Sequence, residues 1–211
     1  MSRYILRRLG FLILTLLLTS AIIFVITRLL PGDVARVVLG REASEEALQA
    51  LRQELGLNRP AIVQYLDWLW SFIHGDWGIS YSTKLPIRPL VLGRLGASMR
   101  LAGLTLLIAV PLSVVLGAIA GLKENRAADN TISIASLSVV GLPEFVTGLV
   151  LIQVFAFRLH ILPANSSVAP GASFSEALPM LILPALTATL VLLSYVIRLT
   201  RAGVIEELKQ G

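Results

Sequence analysis

Few residues in this sequence could do chemistry, and the most informative is Glu144. It follows Pro143 and precedes Phe145 inside an otherwise apolar stretch from Thr131 to Phe157. A carboxylate carried to bilayer depth costs ~2.5–3.5 kcal/mol on insertion scales, so it should face protein or water. There it could meet a cation. Equally, it could bond backbone groups freed by Pro143 or a neighbouring helix, or lie near water if the stretch is offset. Pro111 and Pro143 each remove a backbone hydrogen bond and can kink a helix. Kinks can line cavities, although proline is also frequent in membrane helices. Asp76 and Ser80, flanked by Gly75 and Gly78, read as a tight turn rather than a catalytic pair. Glycine supplies the positive φ angles, and Asp and Ser bond their own backbone.

Reactive constellations are missing. The two histidines, His74 and His160, lie outside the apolar runs and have no ligand spacing around them. With no cysteine there is no thiolate zinc site, disulfide or cysteine nucleophile. No Gly-x-x-x-x-Gly-Lys-Ser/Thr run is present to cradle a phosphate. No cofactor is expected in this chain, and it does not read as an enzyme.

The elements that must position these residues follow from composition. The chain has 211 residues, 55% hydrophobic and 15% charged, against roughly a quarter charged in a soluble domain. Its mean hydropathy is +0.80. The apolar residues gather into runs of ~20, long enough to cross the hydrocarbon layer. The net charge of +5 then records Lys and Arg beside membrane spans, with lipid rather than nucleic acid as the partner. The expected fold is an all-α polytopic membrane helix bundle with four transmembrane helices, at 9–28, 100–122, 131–157 and 178–197. After Arg28 comes a poor cleavage site, so the first span reads as an uncleaved anchor. The short segments 1–8, 123–130 and 198–211 hold Arg3, Arg7, Arg8, Lys123, Arg126, Arg198, Arg201 and Lys209. Segment 158–177 holds only Arg158, with His160 and Glu176. The positive-inside rule puts both termini in the cytoplasm. Gly117 and Gly121 form a small-x-x-x-small pair that lets helices approach closely.

Residues 29–99 then form an extracytoplasmic segment, and it has structure of its own. Ser44 before Glu45 and Glu46 is a good helix start, Leu48, Leu51 and Leu55 recur at helical spacing, and Gly56 can stop the helix. Asn58 and Pro60 signal a second helix, ending at Gly75, with Ile62, Leu66, Leu69 and Ile73 on one face. Trp68, Trp70 and Trp77 fall in or just after it. Indole rings favour the membrane–water interface, so this helix is expected along the outer membrane face, the alternative being a small domain with an aromatic core.

The order of features resembles a family. It runs from an arginine-flanked first span into Leu30-Pro31-Gly32-Asp33, then Leu55-Gly56-Leu57-Asn58-Arg59-Pro60 and Gln64-Tyr65-Leu66. Gly75-Asp76-Trp77-Gly78-Ile79-Ser80, Leu142-Pro143-Glu144-Phe145, Leu183-Pro184-Ala185-Leu186 and Arg198-Leu199-Thr200-Arg201-Ala202 follow. Over essentially the whole chain, these resemble the inner-membrane permease subunits of dipeptide, oligopeptide and nickel ABC importers. The resemblance implies a second permease subunit, two cytoplasmic ATPase subunits that carry ATP and Mg, and an extracytoplasmic substrate-binding protein. It makes Pro143, Glu144, Phe145 and Pro111 translocation-path candidates, with Glu144 able to meet a peptide's amino terminus. Gly75, Asp76, Gly78 and Ser80 become candidates for docking the binding protein, and Arg198, Arg201 and Glu206 for the approach to the ATPase. In the family a coupling helix and further spans follow, whereas this sequence reaches Glu206-Glu207-Leu208-Lys209-Gln210-Gly211. A chain stopping there is expected to bind an ATPase weakly or not at all. The alternative reading is a non-transporting anchor or a permease remnant.

Overall fold

The computed structural model describes residues 2–29, 33–40, 42–81, 83–169 and 171–210. Leu30, Pro31, Gly32 and Gly211 of the runs quoted above lie outside the described residues. The elements are α1 (Ser2–Leu29), α2 (Val34–Leu39), α3 (Glu45–Glu54), α4 (Ala61–Ile73) and α5 (Ile87–Leu122). They are followed by α6 (Ala127–Val140), α7 (Glu144–Leu151), a π-helical segment (Ile152–Arg158) and α8 (Phe174–Gln210). Among the described residues, helices joined by turns and loops make up the fold, and the one β pairing is an isolated antiparallel bridge between Ile79 and Pro86. Three helices are long and apolar enough to cross a membrane: α1, α5 and α8. The pair formed by α6 with α7 and its π-helical continuation, bent by 104°, makes a fourth if it is one span.

The chain divides into two compact units, one up to Leu92 and one from Gly93. In the first, α3 starts as the sequence predicts, with the Ser44 hydroxyl accepting from the Ala47 N–H at 3.3 Å. It ends in a left-handed Gly56 at φ 65°. There the Leu57 N–H reaches back to the Arg52 carbonyl at 2.9 Å, closing a Schellman turn. Asp33 caps α2 by accepting from the Ala35 N–H at 3.1 Å. The other oxygen of Asp33 takes the Arg52 Nε at 3.1 Å, which ties α2 to α3. Between these two helices Ala35 and Leu48 are fully buried.

That pair has a pH signature. The Arg52 guanidinium holds the Asp33 carboxyl below the usual carboxylate range, outweighing the opposite effect of its partial burial. A depressed folded-state pKa stabilises above the unfolded value of about 4 and is lost as pH falls through the folded one. We therefore expect α2 to loosen from α3 only below about pH 4, and Asp33→Asn to remove the pH dependence. Amide exchange of the Val34–Leu39 backbone, corrected for its intrinsic pH dependence, measures this. A wild-type and a variant profile of equal slope would count against it.

Helix α4 packs on α1 through Tyr65. Its hydroxyl lies 2.8 Å from the Ser20 hydroxyl and its ring 5.4 Å from Phe24. Arg28 donates to the Gln64 side chain. From Tyr65 the aromatic contacts continue through Trp68 and Phe72 to Trp77, with centroids 5.1–6.0 Å apart. No residue of α4 is buried, and Trp70 is 68% exposed. This weighs against an aromatic core and agrees with a helix whose rings meet the interface.

In the second unit the core is a seam between α5 and α8. On α5 the residues Thr105, Ala109, Ser113, Gly117 and Gly121 are buried at every fourth position. On α8 the buried residues Ala177, Leu181, Ala185, Thr189, Leu193 and Ile197 have the same spacing. Rows four apart interdigitate in the commonest mode of helix packing. A Cβ added at Gly117 would lie 2.6 Å from Thr200 Cβ, and one at Gly121 2.7 Å from Val204 Cβ. The absence of side chains at these two positions is what lets the backbones meet.

The seam also sets topology. Thr189 donates to the Thr105 carbonyl at 3.5 Å, Gly117 meets Thr200, and Gly121 meets Val204. Residue numbers rise together on both sides, so α5 and α8 run parallel. The chain leaving α5 must therefore return to the side where α5 began before α8 can start. The bent segment makes that return. Asp129 of α6 bonds Arg201, and Gly148 of α7 lies against Thr187, further back along α8. The bent pair is a crossing, not a loop returning to its own side.

Three boundaries differ from the hydropathy reading. Helix α5 starts at Ile87 rather than near Arg100, and α8 runs from Phe174 to Gln210, taking in the last residues of the expected 158–177 loop and most of the expected 198–211 tail. Hydropathy marks where the bilayer lies, whereas helices end where capping or proline stops them. The 36 residues of α5 extend ~54 Å, well beyond a hydrocarbon core of ~30 Å. Ser173 and Glu176 form a reciprocal capping box at the start of α8. The Glu176 carboxylate accepts from the Ser173 N–H at 2.8 Å, and the Ser173 hydroxyl accepts from the Glu176 N–H at 3.4 Å. The third is that the interruption expected at Pro143 is a full break between two helices, and that the first of them starts at Ala127 rather than Thr131.

Candidate functional site

The break in the bent span is built by three consecutive residues. Proline disfavours α geometry in the residue before it, so α6 cannot continue through Leu142. Gly141 ends α6, donating to the Leu137 carbonyl at 3.1 Å. Pro143, extended at ψ 137°, then caps α7, with its carbonyl accepting from Val146 at 2.9 Å. Glu144 is thus not in mid-helix, as the apolar stretch suggested, but in the first turn of α7. Its carboxylate lies at the positive end of the helix dipole, among N–H groups with no intrahelical partner.

Glu144 is exposed, and Phe145 beside it is 69% exposed. Among the described residues, none forms an ion pair or side-chain hydrogen bond with Glu144. Of the sequence candidates, the structure gathers Pro143, Glu144 and Phe145 at this bend. Pro111 is elsewhere, with an exposed ring on α5, which runs through it as one helix.

The external candidates do come together in one turn. Gly75 and Gly78 take φ values of 90° and 75°, and Asp76 accepts from the Gly78 N–H at 3.0 Å. Ser80 N–H donates to the Leu85 carbonyl and Ile87 N–H to the Gly78 carbonyl, at 2.9 and 3.0 Å. Arg88 donates to the Gly75 carbonyl at 3.3 Å, and Trp77 stacks on Phe72. The loop is a folded knob at the foot of α5.

At the far end of α8 the three candidates have different surroundings. Glu206 is exposed. Arg198 lies over the Tyr195 ring, 5.3 Å from its centroid, and its Nε reaches the Ser194 carbonyl. Arg201 is committed to Asp129, with Nε and Nη2 donating to the two carboxylate oxygens at 2.6 and 2.7 Å. Asp129 also accepts from the Asn125 N–H at 2.9 Å and the Ser133 hydroxyl at 3.2 Å. Asp129 was not among the sequence candidates. Its only local signal is its place as an acid in the first turn of α6. Among the described residues, no group of three His, Asp or Glu side chains could hold a metal ion.

Apolar helices long enough to cross a membrane, a broken span with a carboxylate at its bend, and few reactive groups define a polytopic membrane protein. Comparison with known proteins makes the class specific. The family described as "Binding-prot-dependent transport system membrane comp, N-term" matches residues 1–102. "Binding-protein-dependent transport system inner membrane component" matches residues 113–211. A probable peptide ABC transporter permease protein of Sinorhizobium fredii (strain NBRC 101917 / NGR234) is 32% identical over 210 residues, covering 100% of this chain and 67% of that protein. The glutathione transport system permease protein GsiC of Escherichia coli (strain K12) is 30% identical over 210 residues, covering 100% of this chain and 66% of that protein. A putative peptide transport system permease protein of Brucella abortus (strain 2308) is 31% identical, with 67% of that protein covered. The chain spans about two thirds of the length of these relatives. It belongs to the family of inner-membrane permease components of binding-protein-dependent transport systems. It is accordingly a multi-pass protein of the inner membrane.

Proposed function

We propose that this chain forms part of the path by which a peptide or a related small polar solute is imported, by alternating access. The observation that carries the reading is the match of two family patterns, in order, to residues 1–102 and 113–211. The names of its relatives, for peptide and glutathione transport, favour the peptide class. ATP and Mg act in two cytoplasmic ATPase subunits, a second permease completes the path, and a substrate-binding protein delivers solute from outside. The N-terminus, the 123–130 turn and the end of α8 face the cytoplasm, because they hold the basic residues of the short segments. The Gly75–Ser80 knob then faces outward, where it meets the binding protein, and Glu144 faces the path, where it receives the solute's positive charge.

Tagging the gene product in its own cells and purifying it in mild detergent tests the assembly. A second permease and two ATPases should come with it, and its deletion should abolish uptake of labelled peptides. A chain that purifies alone from cells with normal uptake would sink the proposal.

A further inference from the structure

Asp129 is the one buried charged residue among the described residues, with 1% of its surface exposed. Four donors from three places converge on it: Arg201 twice, Asn125 and Ser133. Close by, Glu124 reaches Lys209 at 3.5 Å, and a Cβ at Gly121 would lie 3.1 Å from the Arg201 carbonyl. The end of α5, the start of α6 and the last turns of α8 thus share one cluster. From it α6 leads directly to the break at Gly141 and Pro143. An apolar contact would hold two helices together as firmly. What a bidentate pair adds is geometry, because two parallel N–H···O bonds fix both the register and the rotation of α6 on α8.

We propose that the Asp129–Arg201 pair is a positioning device that makes α6 and the end of α8 move as one body, so that a displacement of the end of α8 is delivered to the bend at Glu144. The proposal rests on the permease reading for the source of that displacement, the ATP-hydrolysing partners. Glu206, Glu207 and Leu208 on the exposed end of α8 are the handle, and the bend is the load. Neither Asp129 nor Arg201 needs to touch the solute.

The chain has no cysteine, so Leu137→Cys on α6 and Leu199→Cys on α8, both at exposed positions, can carry a unique pair of spin labels. In the assembled complex the label distance should be sharply distributed and should broaden on Asp129→Asn. Arg201→Lys keeps the charge but offers no planar fork, so it should broaden the distribution less, which separates register from charge. Uptake per assembled complex should fall about tenfold in Asp129→Asn, while the partners go on hydrolysing ATP, so less solute moves per ATP. An unchanged distance distribution in Asp129→Asn would overturn the proposal. So would a loss of assembled complex with uptake per remaining complex unchanged, which is what a purely structural pair would give. Distances that respond as expected in an assembly that imports nothing would instead refute the permease reading and leave the rigid link standing.

Discussion

Replacing Gly117 with alanine is expected to destabilise the helical bundle by about 2 kcal/mol, and replacing it with leucine to prevent the α5–α8 seam from forming. The ground is distance. A single added carbon at Gly117 would sit 2.6 Å from Thr200 Cβ and 2.9 Å from the Ile197 carbonyl oxygen, and neither is the free end of a flexible side chain. The helices would have to separate, and the cost would run along the seam to Ala109 and Ser113, both fully buried. Gly121→Ala is expected to behave similarly, against Val204. By contrast Gly93, Gly96 and Gly103 face open space, and alanine there should be neutral or mildly stabilising. A thermal melt of the detergent-purified protein measures each. The double variant Gly117→Ala with Thr200→Gly should recover part of the loss, since it removes the nearest obstacle. Equal melts for Gly103→Ala and Gly117→Ala would show that the seam is not closed as described.

The second large effect is expected at Glu144, on transport rather than stability. Glu144→Gln should lower uptake by about tenfold or more, the scale of losing a charge-assisted hydrogen bond. Stability should change little, because none of the described residues is paired with the carboxylate. Glu144→Asp should fall between, and the neighbouring Phe145→Leu should affect uptake less than Glu144→Gln. Uptake of a labelled peptide at fixed complex abundance is the readout. If Glu144→Gln transported normally but melted at a lower temperature, the carboxylate would be a helix-start residue and nothing more.

Much of this architecture was readable from the residue string. Apolar runs gave the membrane class, Ser44 with Glu45 gave the start of α3, and Gly56 gave its stop. Gly117 and Gly121 announced a close approach without saying to what. The Ser173–Glu176 box was there to be read, but hydropathy placed the boundary at 178, where the apolar run begins. Other features had no local trace. Proline at 143 predicts a break but not an angle of 104°, because a missing backbone bond does not fix the direction in which the chain resumes. The partner of Arg201 is 72 residues away, and no periodicity or spacing links the two. Glu144 looked like a mid-membrane charge because hydropathy counts residues and not helix ends.

The parallel seam has a consequence during synthesis. The backbone carbonyl of Thr105 and the hydroxyl that finds it on Thr189 are 84 residues apart in the chain. At roughly 5–20 residues per second, the ribosome needs about 4–17 s between delivering one and delivering the other. For that interval α5 stands in the lipid with its glycine groove unfilled, while the helices that follow it are still being made. The nascent chain must therefore be sheltered or left undisturbed until α8 arrives, and a slow stretch of codons between Leu122 and Phe174 would lengthen the exposure.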